Sequence, residues 1–380
     1  MADESEWSRL ESAVIKSLRH FRDRYLQSSR NDRENPELQE THIGETATGG
    51  NILESLPVDM QFYIMSFLSP HDLCRLGSTC QYWHTVVHDP VLWRYFLLRD
   101  LPTWSFIDHN SMPDVEKISQ PLAELDDDTL HDYMTEYLKS CPGCRRRLKP
   151  CRRGYAAVTS FLHSLVINTE PRLAMFGPGL EQLEVSLVRK MMHSPDVIPV
   201  AGFPQRQING IGSGISFMLN NQQRFNILTL YSTTSKERER ARVEQNNAPN
   251  KMFLQEGEGA AECPTARHRI IPQVQEVCRV VDGFIYVANA ETDRSHEREE
   301  EFAQIQAMTA SDLGSSNRPV LVLSCVSRAG TWRIPCIYMA HELHLNRLGR
   351  PWLVQDAEAE TLNGLLNGIE WILEESGINV

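Results

Sequence analysis

Several features of membrane, secreted and nucleic-acid-binding proteins are scarce in this 380-residue sequence. It has 38 lysines and arginines against 50 aspartates and glutamates, so a net charge of −12 disfavours nonspecific binding to nucleic acid or anionic membranes. No apolar run is long enough to span a bilayer. The first six residues, MADESE, are acidic, unlike the basic start of a secretory signal. We therefore expect no nucleic-acid or membrane partner, and a location in the cytoplasm or the nucleus.

A disulfide framework is also unexpected. Nine cysteines is an odd number, and without a secretory signal reduced thiols are the expectation. Three of them, Cys141, Cys144 and Cys151, lie close together, but zinc needs four ligands at regular spacing. The surrounding prolines and arginines argue against a redox pair at the start of a helix. We predict no metal site and no cofactor, and a zinc site at these thiols remains the alternative.

What the chain does contain is an apolar segment, Leu56 to Trp93, that is too short to build a core of its own. Ser69 before Pro70 and Asp89 before Pro90 predict helix starts, because each polar side chain can cap and each proline suits a first turn. The apolar residues recur at helical spacing. They are Met60, Ile64, Phe67, Leu68, Leu73 and Leu76. An ordinary three-helix core is one interpretation, and an interface with a partner's groove is the other.

The order and spacing of these residues resemble the F-box, the module of substrate receptors in SCF ubiquitin ligases. The resemblance implies that the chain docks onto the Skp-family adaptor, in a complex with a cullin and a RING subunit, and performs no catalysis itself. We assign the adaptor anchors on this basis. They are Leu56, Pro57, Ile64, Leu68, Leu73 and Leu76, with Trp93 closing the unit.

The segment divides the chain into four predicted parts. Residues 1–50 form an N-terminal arm with one amphipathic helix and are otherwise flexible; residues 51–98 form the F-box, and residues 99–153 a linker of short helices. Residues 154–380 form the large domain. The helix of the arm either packs on the body of the protein or mediates self-association as a homodimer. Its apolar stripe begins with Trp7, Leu10, Val14 and Leu18.

In the large domain, short apolar runs alternate with amphipathic helical patterns. Runs such as 283–288 and 319–323 are apolar throughout, which is typical of strands buried on both faces of a mostly parallel sheet. The predicted fold class is therefore a helical N-terminal part followed by an α/β domain.

This domain also resembles small GTPases, most clearly in residues 350–372, but its nucleotide motifs are broken. A phosphate-binding loop requires Gly-x-x-x-x-Gly-Lys-Ser/Thr. The matching turn reads Gly177-Pro178-Gly179-Leu180-Glu181, in which the proline lacks an amide donor and the glutamate repels phosphate. The guanine-reading Asn-Lys-x-Asp is replaced by residues 324–327, Ser-Cys-Val-Ser. We expect a GTPase-like shape without GTPase activity.

An F-box ahead of a degenerate GTPase-like domain resembles one branch of F-box receptors. That branch implies substrates such as D-type cyclins and a telomeric repeat-binding factor, hence roles in the cell cycle and telomere maintenance. Dimerisation controlled by phosphorylation is in doubt here, because residues 1–50 contain no Ser-Pro pair. A ligase-independent interaction scaffold and a nucleotide-driven switch are the alternatives.

For the substrate site, we predict an exposed sheet edge that accepts a partner's strand. The predicted strand alternates apolar and other residues, which favours a half-exposed position. Its residues are Ile215, Ser216, Phe217, Met218 and Leu219.

Overall fold

A computed structural model describes residues 53–119, 131–148, 170–202, 212–220, 223–231, 252–254, 269–291 and 298–377. Trp7, Leu10, Val14 and Leu18, the residues predicted for self-association, lie outside these ranges, as does Cys151. The described residues fall into two compact units. Unit 1 contains the residues up to Leu101 together with Pro113–Lys139, and unit 2 contains Pro102–Met112 together with the residues from Ser140 on.

Unit 1 is helical. Its helices are α1 (Val58–Ser66), α2 (Pro70–Gly77), α3 (Gln81–Val87), α4 (Pro90–Asp100), α5 (Val115–Ser119) and α6 (Tyr133–Ser140). Two starts follow the predicted capping chemistry. The Ser69 side chain accepts a hydrogen bond from the Asp72 amide at 3.2 Å, and the buried Asp89 carboxylate accepts one from the Val91 amide at 2.8 Å. Such caps each contribute about 1 kcal/mol to a helix, so local sequence sets where α2 and α4 begin.

The core of unit 1 is built around α4. Trp93 is fully buried, and its indole Nε1 donates a hydrogen bond to the Val87 carbonyl at 2.7 Å. The Tyr137 ring of α6 lies 5.5 Å from the Trp93 ring. Arg94 is buried as well, and its guanidinium donates two hydrogen bonds to the Ile118 carbonyl just inside the end of α5. Helices α5 and α6 thus cover one side of α4 with polar and aromatic contacts.

Unit 2 contains a sheet of eight strands. They are β1 (Phe106–Asp108), β2 (Arg172–Phe176), β3 (Val200–Gly202), β4 (Gly212–Leu219), β5 (Gln223–Leu230), β8 (Gly283–Asn289), β9 (Val320–Val326) and β10 (Trp352–Glu358). Their order across the sheet is β1-β10-β9-β8-β2-β5-β4-β3. The central pairs from β10 to β5 are parallel, and β1, β4 and β3 pair antiparallel. A separate two-stranded ladder joins β6 (Phe253–Leu254) and β7 (Arg269–Ile270).

Helices accompany this sheet. They are α7 (Pro142–Leu148), α8 (Gly179–Gln182), α9 (Leu187–His193), α10 (Pro272–Val280), α11 (Glu299–Met308), α12 (Cys336–Glu342) and α13 (Leu365–Glu375). Every residue of β9 is buried, which is the pattern of a strand covered on both faces. The predicted class, helical part plus mostly parallel α/β domain, is confirmed. Among the described helices, none has the length and apolarity needed to cross a membrane.

Two local expectations differ from the structure, one in the predicted linker and one at β4. The stretch predicted as a linker of short helices contains β1, which adds an antiparallel strand to the sheet beside β10. Apolar residues recur at helical spacing from Leu180 to Met192, yet this stretch forms two helices, because the backbone at Leu183 is extended and Ser186 caps a new start. Strand pairing between distant segments and single-residue breaks leave little trace in local periodicity.

Strand β4 is also not an edge strand, so that prediction is wrong. β3 pairs with it, with Val200 opposite Phe217 and Gly202 opposite Ser216, and the Met218 amide donates to the Pro199 carbonyl at 2.9 Å. The alternating burial of Ile215, Phe217 and Leu219 is real, but Ser216 is also buried and hydrogen-bonds Asn226 on β5. A three-residue strand outside β4 is too short to be recognised from sequence.

Candidate functional site

Helix α1 and the residue that caps its C-terminal end carry an exposed apolar stripe, defined here as Met60, Tyr63 and Phe67. Their exposed fractions are 49%, 56% and 71%. They follow one another at intervals of three and four residues, so they share one face of the helix. The Tyr63 and Phe67 rings meet edge to face with centroids 4.9 Å apart. Clustered exposed aromatic residues are costly to leave in water and mark interaction sites.

The other face of α1 is anchored in unit 1. Phe62 and Met65 are buried at 2% and 1% exposure. Gln61, also buried, donates through Nε2 to the Leu56 carbonyl at 3.0 Å and accepts at Oε1 from the Tyr82 hydroxyl at 2.8 Å. These bonds tie the chain ahead of α1 and the start of α3 to one amide side chain. The stripe is therefore held on a helix whose orientation is fixed by its opposite face.

The predicted anchors occupy three kinds of position. Pro57 is exposed, and the side chains of four leucine or isoleucine anchors are half-buried. These four are Leu56, Ile64, Leu68 and Leu76. Leu73 and Trp93 are fully buried inside unit 1. Leu73 is therefore wrong as a surface anchor, since its side chain has no accessible area in the described chain. Trp93 lies in the core of unit 1, where its indole is hydrogen-bonded to the Val87 carbonyl.

The apolar helical pattern in the sequence includes Met60 and Phe67, but neither they nor Tyr63 were predicted as adaptor anchors. The signal was present, because residues 60, 63 and 67 recur at helical spacing. The same spacing recurs at residues 61, 64, 65 and 68, so periodicity alone did not decide which face meets solvent.

At the carboxyl end of the sheet, the turn in place of a phosphate loop is packed on β8. Gly177 has φ +125°, and a Cβ there would lie 2.6 Å from the Val287 carbonyl oxygen. A Cβ on Gly179 would lie 2.8 Å from the Val287 side chain. The glycines serve close backbone approach to a strand. The following helix α8 is a single turn with Glu181 inside it.

The segment after β9, where a guanine reader would lie, is engaged by other parts of unit 2. The Ser327 hydroxyl accepts a hydrogen bond from the Glu184 amide at 3.1 Å. The Ser327 amide donates to a Glu291 carboxylate oxygen at 2.5 Å. Next to it, Arg328 pairs with Glu184 at 2.9 Å. The hydroxyl and the amide of Ser327 are therefore already engaged within unit 2.

Cys141 immediately precedes α7, and Cys144 lies in its first turn with its amide donating to the Cys141 carbonyl. The helical start was not expected from the sequence. Among the described residues, no group of three or more His, Cys, Asp or Glu side chains is arranged to hold a metal ion. Cys151, the third thiol of the zinc alternative, lies outside the described ranges.

Comparisons with known proteins agree with the first resemblance. The F-box-like family model matches residues 53–99, which include the whole of α1 to α3 and the exposed stripe. Unit 1 with this match defines a protein of the F-box class.

Curated relatives narrow the assignment. The chain is 57% identical to F-box only protein 4 of Mus musculus and 56% identical to those of Bos taurus and Homo sapiens. Each alignment spans 371 residues, 98% of this chain and 94% of the relative. The chain belongs to the F-box only protein 4 family. Membership supports a role in substrate recognition within an SCF ubiquitin ligase, together with a Skp-type adaptor.

A solved structure also matches part of the chain. It is the Arl6 BBS3 small GTPase of Trypanosoma brucei with a bound nucleotide analogue, and the match covers 56% of this chain and 100% of the GTPase chain. The identity is 11% and the TM-score 0.30.

Proposed function

We propose that this chain is the substrate-recognition subunit of an SCF ubiquitin ligase and that the stripe Met60, Tyr63 and Phe67 contacts the Skp-family adaptor. The observation that carries the proposal is the exposure of this stripe within the residues matched by the F-box-like model. An amphipathic helix that offers side chains at three- and four-residue spacing suits a groove on a partner. The half-buried Leu56, Ile64, Leu68 and Leu76 and the exposed Pro57 extend this surface.

The receptor performs no bond chemistry in this proposal. It binds the adaptor through unit 1 and a substrate through unit 2, which raises the effective concentration of a substrate lysine near the ubiquitin-charged enzyme. The ligase then ubiquitinates the substrate for proteasomal degradation. The proposed substrates are D-type cyclins and a telomeric repeat-binding factor, which the resemblance to receptors with an F-box ahead of a GTPase-like domain implies, and the proposed location is the cytoplasm or the nucleus.

We further infer that unit 2 acts by shape and not by nucleotide hydrolysis. The Gly177–Gly179 turn lies against β8, α8 ends after one turn, and Ser327 is bonded to Glu184 and Glu291. The Gly177–Gly179 turn has no Lys-Ser/Thr pair and, at Pro178, no amide donor for a phosphate, and the Ser327 hydroxyl and amide are already hydrogen-bonded within unit 2. No observation favours a nucleotide-driven switch.

The test is adaptor binding by full-length variants. Because aromatic residues at the centre of an interface dominate its energy, Phe67→Ala alone should weaken binding by about 2 kcal/mol, roughly thirtyfold in Kd. Tyr63→Ala combined with Phe67→Ala should abolish co-purification of the adaptor and the cullin from cells. Binding is measured by titration calorimetry with purified adaptor.

Trp332→Ala is the matched control, since Trp332 is exposed to 54% but belongs to unit 2. It should bind the adaptor like the unmodified chain. If the Tyr63/Phe67 variant retains the control's Kd, the stripe is not the docking surface. If the unmodified chain recovers substrates from cells without adaptor and cullin, the scaffold alternative replaces the ligase proposal.

A further inference from the structure

Cys141 and Cys144 form a Cys-x-x-Cys motif that the proposed function leaves unused. The prolines and arginines around this motif argued against a helix start, and therefore against a redox pair. The structure removes that objection. Cys141 lies directly ahead of α7 and Cys144 is the third residue of the helix. Pro142 occupies the first helical position, where its missing amide breaks no hydrogen bond of the helix.

The backbone brings the two cysteines close together. The Cys141 carbonyl accepts hydrogen bonds from the amides of Cys144 and Arg145, both at 3.1 Å. A turn closed between residues i and i+3 brings their Cα atoms within about 7 Å. A disulfide spans Cα separations of roughly 4.4–6.8 Å, so this turn is of the right size for one.

The residue ahead of Cys144 leaves room for such a bond. Gly143 is exposed, and a Cβ added to it would lie 3.9 Å from the Cys141 Sγ. The Cys141 sulfur therefore lies over the first turn of α7, and no side chain at residue 143 stands beside it.

Helix α7 is positioned by a contact outside this turn. Arg145 forms an ion pair with Asp108 on β1, with Nη2 and Oδ2 2.6 Å apart. A disulfide inside the first turn uses neither of these side chains. Oxidation of the two thiols should therefore leave α7 in place and be reversible in the folded chain.

The two thiols also differ in access from three other cysteines. Cys141 and Cys144 are half-buried, so a small solute reaches them, and neither forms a disulfide in the structure. Burial raises the pKa of three other thiols, to about 12 in the first two and well above the usual value in the third, so they remain protonated and unreactive. They are Cys278, Cys325 and Cys336. Among the described cysteines, Cys141 and Cys144 alone share one helical turn.

We propose that Cys141 and Cys144 are a redox-active pair, which a low-molecular-weight disulfide such as oxidised glutathione converts into an intrachain disulfide. One thiolate attacks a sulfur of oxidised glutathione, forms a mixed disulfide and releases the first glutathione. The second cysteine then attacks the protein sulfur of that mixed disulfide and releases the second glutathione. Two electrons pass from the protein to glutathione, and the two thiol protons end on the two released glutathione molecules.

The test is oxidation of the reduced full chain by oxidised glutathione, followed by acid quenching and peptide mass spectrometry. The peptide with both cysteines should lose two hydrogen atoms and carry no glutathione, and dithiothreitol should restore both thiols. In Cys141→Ser and Cys144→Ser the second step is impossible, so the thiol that reacts first keeps its glutathione. Because the second step is intramolecular, the mixed disulfide at this motif should be at least about tenfold more abundant in one of these variants than in the unmodified chain.

Cys80→Ser is the matched control, because it removes an exposed thiol from unit 1. It should leave the oxidation of Cys141 and Cys144 unchanged. The proposal is overturned if glutathione accumulates at the motif in the unmodified chain as it does in the serine variants, or if either thiol pairs with Cys151 instead. A stoichiometric zinc ion that blocks oxidation until a chelator removes it also overturns the proposal and restores the zinc alternative.

Discussion

Leu73→Ala should lower the stability of the chain and keep adaptor binding, whereas Phe67→Ala should keep stability and weaken binding. The reason is that Leu73 lies in the core of unit 1 and Phe67 lies on its surface. Leu73 is 0% exposed and Phe67 is 71% exposed. Truncating a fully buried leucine removes its transfer free energy and leaves a cavity, which lowers the free energy of unfolding by about 2–5 kcal/mol. Truncating an exposed phenylalanine should change that free energy by no more than about 0.5 kcal/mol.

Urea denaturation of the full chain at 25 °C is the assay, followed by tryptophan fluorescence. Trp83 and Trp93 are buried at 2% and 0% exposure in unit 1, so their share of the emission from the seven tryptophans of the chain reports its unfolding. Adaptor binding is measured on the same preparations below the transition. Leu73→Ala should lower the urea midpoint and keep the adaptor Kd of its folded fraction, while Phe67→Ala should keep the midpoint and weaken binding.

Leu73→Val provides a graded control, since it removes one methylene and should fall between the unmodified chain and Leu73→Ala in stability. The reasoning is refuted if Leu73→Ala keeps the midpoint but loses adaptor binding. That result would mean that Leu73 is an anchor in solution and that the burial described above does not hold there.

Two other predictions follow from unit 2. The side chain of Arg298 is 0% exposed and forms ion pairs with Glu301 at 3.0 Å and Glu342 at 3.1 Å. Arg298→Met leaves both carboxylates without their charge partner, so it should lower the free energy of unfolding by about 3–5 kcal/mol. The surface control Arg347→Met should be nearly neutral in the same urea titration. Saturating magnesium and GTP should leave the melting temperature of the full chain unchanged; a rise that depends on GTP concentration would show binding to the native state and contradict the proposal for unit 2.

Structure that depends on neighbouring residues in the chain could be predicted from the sequence. The caps at Ser69 and Asp89 act as the residues predicted, because a polar side chain followed by proline needs only its own backbone to begin a helix. The continuous apolar runs at β8 and β9 predicted buried parallel strands for a similar reason, since such runs are stable only when both faces are covered. The resemblance to the F-box was confirmed by the family model and by the relatives.

Contacts between distant parts of the chain could not be predicted from the sequence. Leu73 and Phe67 both fit an apolar helical pattern, but only the packing of α2 against the rest of unit 1 buries the former. β3 covers β4 through three residues, and β1 joins the sheet from a stretch expected to be helical. Such pairings depend on loop closure and on competing partners, which a local pattern does not record.

The amino-acid order alone thus set the helix starts at Ser69 and Asp89, the buried strands β8 and β9 and the family, because these depend on side chains close together in the chain. Tertiary packing decided which apolar side chains remain exposed for a partner and which are buried, as Phe67 and Leu73 show. The reason is that exposure depends on how much water each side chain loses to elements of the fold that a local pattern does not bring together.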